Sequence, residues 1–117
     1  MPQKYKLQTI PRADSMLALH VDFLTKASLE AGRRLLTSFK KMTDRLADNP
    51  FQFPFADDQD APGMPPKVYR KCLFEKRYKV IFRVENDDAG VIVVAVIDCR
   101  MENKNLFETE RMETETT

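Results

Sequence analysis

Seven consecutive residues, Val91–Ile97 (VIVVAVI), carry neither a charge nor a hydrogen-bonding side chain. The run is far shorter than the roughly 20 apolar residues that a membrane-spanning helix needs. As a strand it is apolar on both faces, so it must lie at the centre of a sheet or be covered on both sides. A chain of 117 residues has room for one core. Its other elements must therefore flank or cover this strand.

Residues 68–74 and 78–85 read as two further strands joined by Glu75-Lys76-Arg77, and the turn at 86–90 leads into 91–98. In the middle strand Tyr78, Val80, Phe82 and Val84 share one face, while Lys79, Ile81, Arg83 and Glu85 share the other. The alternating segment KYKLQTI at 4–10 predicts a short first strand, stopped by Pro11, which suits the start of a helix. In that helix Ala13, Leu17, His20, Leu24 and Ala27 recur at three- and four-residue spacing, flanked by Met16 and Phe23. Ser28 is placed to cap a second helix, with Glu30 in its first turn. Its stripe is Leu35/Leu36, Phe39, Met42 and Leu46, and Asn49-Pro50 ends it.

So little chain separates the two helices that they are expected to form an antiparallel hairpin. The fold class is α+β with the order β-α-α-β-β-β(-α), the last turn of helix falling at 103–107. The hairpin packs on one face of a small, antiparallel-rich sheet. Residues 1–107 make a single domain. The acidic tail 108–117, ETERMETETT, lacks an apolar period and is expected to be disordered.

Residues 50–66 hold five of the seven prolines, with Phe51, Phe53, Phe55 and the acids Asp57, Asp58 and Asp60. Proline removes backbone donors, so this is a loop, and one this long is often functional. The phenylalanines are expected to pin its first part, and the acids to be solvated rather than to hold a cation. Asp-Asp-Gln-Asp lacks the glycine and distal glutamate of a calcium loop.

Nineteen basic and eighteen acidic residues give a formal charge of +1, so any electrostatic argument rests on distribution. From Arg70 to Arg83 six bases (Arg70, Lys71, Lys76, Arg77, Lys79 and Arg83) face one acid, Glu75. With Arg100 they are expected to line the sheet face that the helices leave bare, a surface suited to a polyanion. His20, the only histidine, belongs to the apolar stripe and builds no triad. Cys72 and Cys99 lie on strands separated by a third, roughly 10 Å apart, too far for a disulfide. No metal or cofactor is expected. The N-terminus lacks a signal peptide's apolar stretch, and two cysteines fit a reducing cytoplasm.

The element order and the stretch YRKCLFEKRYKVIFRVENDDAGVIVVAVIDCRMENKNLF at 69–107 resemble the RelE/ParE family, the toxins of bacterial toxin–antitoxin (plasmid stabilisation) modules. The hairpin YRKCLFEKRYKVIFRVE, the apolar last strand and Arg100-Met101-Glu102 leading into Leu106-Phe107 carry the likeness. Only the C-terminal 40 or so residues carry specific signal. The resemblance implies a small sheet with a helix hairpin on one face. It also implies a cognate antitoxin partner whose extended or helical segment wraps the toxin.

RelE-like members of the family are endoribonucleases that cut mRNA in the ribosome without a metal, whereas ParE-like members block DNA gyrase. By that resemblance Arg70 and Lys79 fall where two phosphate-holding bases sit, and Arg100 falls at or beside a third. These three are the candidate catalytic residues, and Lys71, Lys76, Arg77 and Arg83 join them as candidate nucleic-acid contacts. Cys72 stands where some nucleases have lysine, and Phe107 where a tyrosine is common. The ParE-like inhibitor, and a family member that only binds its antitoxin, are the alternatives. No membrane partner is implied, and a homodimer is a further pairing the reading allows.

Overall fold

In the computed structural model the described residues are 5–85, 87 and 89–99. Arg100, the helical turn at 103–107 and the tail at 108–117 lie outside them.

Strand β1 (Lys6–Thr9) is followed by helices α1 (Pro11–Ala27) and α2 (Leu29–Asp48), then by β2 (Tyr69–Phe74), β3 (Tyr78–Glu85) and β4 (Gly90–Asp98). Pro11 opens α1, where a missing N–H is harmless. One residue separates the helices. Ser28, in extended conformation, donates its backbone N–H to Leu24 and accepts from the Ala31 N–H through its hydroxyl, closing one helix and capping the next. Gly32 lets the hairpin close tightly, because a Cβ there would lie 2.1 Å from Oγ1 of Thr25.

The sheet order is β1-β4-β3-β2, with β1 parallel to β4 and the other pairings antiparallel. β4, uncharged from Val91 to Ile97, is thus central, as the composition of that run demands. Its register against β3 slips between Ile81 and Phe82, which face Ala95 and Val93 and leave Val94 as an extra residue. This bulge breaks the two-residue alternation. Val91, Val93 and Val96 face the helices, while Ile92, Val94, Ala95 and Ile97 face away.

Between the hairpin and the sheet lies the main core, built from Ala13, Leu35, Met42 and Leu46 against Tyr78, Val80, Phe82 and the helix-side valines of β4. Each such large side chain contributes about 1.5–3 kcal/mol before chain entropy is subtracted. Phe23, expected beside the buried stripe, is 67% exposed on the outer side of α1. His20 lies at the helix–sheet boundary and donates from Nε2 to the Val96 carbonyl at 2.9 Å. β1 ends opposite Val93 and does not reach that oxygen.

The opposite sheet face is not bare. The chain between α2 and β2 crosses it, packing Ala56, Ala61 and Met64 on Tyr69, Ile81 and the outer residues of β4 as a second core. The sheet is sandwiched between helices and loop. Among the described residues, no helix is long and apolar enough to cross a membrane.

Candidate anion site on the loop-covered sheet face

In the antiparallel register of β2 and β3, Lys71 stands opposite Ile81 and Lys79 opposite Leu73. The two lysines are therefore diagonal neighbours on one face, close enough for long side chains to meet. They meet at an acid. Asp60 receives Lys79 Nζ at 2.7 Å on Oδ1, and Lys71 Nζ at 3.2 Å on Oδ1 and 3.0 Å on Oδ2. The Asp60 side chain is 6% exposed and that of Lys79 13%.

The acid is held by its own short turn. Asp57 accepts the Gln59 N–H on Oδ1, and its own backbone N–H donates to Oδ2 of Asp60 at 2.9 Å. The Asp57 side chain thus forms an Asx turn, and Asp60 reaches back to the N–H that opens it. Burial by itself pushes the Asp60 carboxyl up. The hydrogen bonds from Lys79, the Asp57 N–H and Lys71, with the charge of Lys79, outweigh it and hold the group below its ordinary value. Asp60 is thus a buried carboxylate clamped by two ammonium groups, not a solvated loop acid as expected. The spacing Asp57-x-x-Asp60 was the sequence signal for it.

The other expected bases separate. Arg83 shares the lysine face, opposite Tyr69, with Nε 3.7 Å from Oε1 of Glu85. Arg70 does not: it stands opposite Phe82, on the helix side of the sheet. Its guanidinium lies 4.0 Å from the Phe55 ring centroid and 5.3 Å from that of Phe51, and donates to the Phe53 carbonyl at 2.6 Å. The expectation that Arg70 joins Lys79 on one surface is corrected here, because adjacent residues of a strand point to opposite faces and Lys71 takes the outer one. Arg77 pairs with Asp98 at 3.2 Å and lies over the Tyr78 ring. Lys76 is exposed at the hairpin tip, where Glu75 and Lys76 both have positive φ. Glu75 accepts from the Ser38 hydroxyl and lies 3.7 Å from Arg34, which ties that tip to α2.

Cys72 faces the helix-side core, where burial pushes its thiol up against the opposing charge of Arg45. A protonated buried thiol is a poor nucleophile. Both cysteines are free. No three metal-ligating side chains cluster among the described residues. The arrangement can therefore hold an anion through two ammonium groups. His20 is on the other side of the sheet, and the one phenol sharing a face with the lysines is that of the buried Tyr69.

No protein-family model and no curated protein matches the chain. Among solved structures, a chain of the RelBE2 toxin–antitoxin complex from Mycobacterium tuberculosis is similar, with a TM-score of 0.56 and 12% identity. The match covers 84% of this chain and 94% of that one. The chain has a RelE-like fold. At this identity the likeness is one of backbone architecture alone. Relative to that RelE-like frame, the lysine pair lies on the face away from the helices and beneath the α2–β2 loop.

Proposed function

We propose that this protein is the toxin half of a toxin–antitoxin module and that it cuts mRNA on the ribosome, in the cytoplasm, without a metal. One observation carries the reading: Lys71 and Lys79 converge on the two oxygens of a single carboxylate. Two oxygens of an RNA phosphate offer the same ammonium groups a similar target. When a ribose 2′-hydroxyl gives its proton to water and bonds to the neighbouring phosphorus, the P–O5′ bond breaks. The departing 5′-oxygen takes a proton from water, and negative charge builds on the phosphate oxygens in between. Fixed cations that meet this charge lower the barrier. Lys79 is the principal group, with Lys71 beside it, and Arg83 and Arg100 are further phosphate contacts. Arg70 orders the aromatic segment 51–55 rather than touching substrate. The RelE-like fold supports the toxin reading and an antitoxin partner.

The test is a translating extract supplied with the purified protein. The expected result is mRNA cleavage that persists in EDTA and is lost in Lys79→Ala or Arg100→Ala. A folded protein that leaves mRNA intact at high concentration removes this reading. The second reading is a gyrase inhibitor, favoured by the internal commitments of Arg70 and Arg77, which leave fewer cations for phosphate. It predicts DNA breaks on expression without translation arrest.

A further inference from the structure

The lysines proposed to hold phosphate are already occupied. We infer that the α2–β2 loop is an internal inhibitor, in which Asp60 fills the Lys71–Lys79 site as a phosphate mimic and a polyanion binds only by expelling it. This rests on the reading of the lysine pair as a phosphate site, and it adds the regulation of that site.

The geometry supports exclusion rather than assistance. Asp60 takes a hydrogen bond from both ammonium groups, and Lys79 is only 13% exposed beneath the loop. A phosphate cannot reach Lys79 while the carboxylate is there. Asp57 and Asp58 on the same turn add charge that repels an approaching polyanion. The acid and the phosphate compete for the same donors.

The loop is also built to leave as a unit. Among the described residues, its backbone hydrogen bonds to the sheet lie at the start, from Ala56 N–H to the Tyr69 carbonyl and from Lys71 N–H to the Pro54 carbonyl. Past Ala56 the backbone bonds of the turn are internal, from the Asp60 and Ala61 N–H groups to the Asp57 carbonyl. Pro62, Pro65 and Pro66 have no N–H to give the sheet. Beside the ion pairs, Ala56, Ala61 and Met64 hold this turn to the sheet by apolar contact. The turn's internal backbone bonds, with those of the Asp57 and Asp60 side chains, keep Asp57 through Ala61 together, so displacement breaks the contacts to the sheet and leaves the turn intact.

The test measures binding of a fluorescein-labelled single-stranded oligouridylate by anisotropy at fixed salt. Asp60→Asn removes the charge without changing the side chain's shape. It is expected to tighten binding by about tenfold or more, the penalty set by a small open population. Adding Lys79→Gln is expected to abolish the gain. Asp58→Asn changes the net charge equally without touching the lysines, and its effect is expected to stay below about twofold. An Asp60→Asn protein that binds no better than wild type overturns the inference, as does an equal gain from Asp58→Asn.

Should Asp60→Asn not fold, the wild-type chain supplies the readout. Saturating oligouridylate is expected to speed tryptic cleavage at Lys67, and unchanged or slowed cleavage overturns the inference. The translating extract separates the two ideas. Tighter RNA binding by Asp60→Asn with intact mRNA keeps the inhibitory contact and removes the nuclease. Cleavage by wild type with unchanged Asp60→Asn binding does the reverse.

Discussion

The Nζ of Lys79 lies 2.7 Å from Oδ1 of Asp60, and the pair joins a proline-rich loop to the middle of a sheet. The base comes from β3, whose alternation is plain in the sequence. The acid comes from a segment with no periodicity. A charge pair this shielded is costly to break from one side, because the remaining partner keeps its desolvation penalty.

Acid should loosen this protein through Asp60. Its carboxyl is held below its ordinary value when folded, so the unfolded chain binds the proton more readily. The pair's contribution is fully present above the unfolded value, about pH 4, and is lost as pH falls through the folded one. Urea unfolding at a series of pH values is expected to show stability falling below about pH 4, with a shallower fall in Asp60→Asn.

Removing the two lysines should have unequal effects. Lys79→Met strips Asp60 of its shortest bond at the more buried position and is expected to cost about 1–3 kcal/mol. Lys71→Met acts at a side chain 32% exposed, where solvent screens the pair, and should cost no more than about 1 kcal/mol. Chemical denaturation of both variants gives the comparison, and equal losses would contradict the burial argument.

Met64 is the largest loop residue in the second core. Met64→Ala is expected to cost about 2 kcal/mol, the low end for such a truncation because an undocked loop relieves the cavity. Amide exchange in residues 56–64 should rise with it, while the helices stay protected. Phe55→Ala removes only the exposed ring stacked on Arg70 and should cost about 1 kcal/mol or less.

The parts of this fold legible in the sequence are those where local chemistry and periodicity agree. Pro11, Ser28 and Asn49-Pro50 mark helix ends with groups that either cap or cannot continue a helix. Tyr78, Val80 and Phe82 fix the helix-facing side of β3. The phase of β2 was harder to read, since Arg70 and Lys71 are both basic and one must point toward the helices. Three phenylalanines at alternate positions, Phe51, Phe53 and Phe55, supply the surroundings that Arg70 finds there. The cover over the second face is hidden because Ala56, Ala61 and Met64 follow no period, and a turn held by two aspartates looks like a solvated acidic run. The bulge at Val94 left no trace in a segment apolar at every position.

His20 gives a prediction independent of the loop. Its Nε2 satisfies a strand carbonyl that β1 leaves open, and its ring lies 5.3 Å from that of Tyr78. His20→Phe keeps an aromatic ring but removes the donor. Leaving the Val96 carbonyl without that partner is expected to cost about 1–3 kcal/mol, read as a lower thermal midpoint.

The covered state of β4 bears on solubility. Val91–Ile97 combines strong strand propensity with no charge and no proline, the composition of segments that stack between chains once uncovered. β3 runs along one side of it and β1 along the other as far as Val93, past which His20 takes the Val96 carbonyl. Yet the proline-rich crossing covers Ile92, Val94, Ala95 and Ile97 on one side, with Ile10 and Met16 packed beside them. Any event that lifts that crossing must hand the surface promptly to another molecule, or the protein will be lost to self-association.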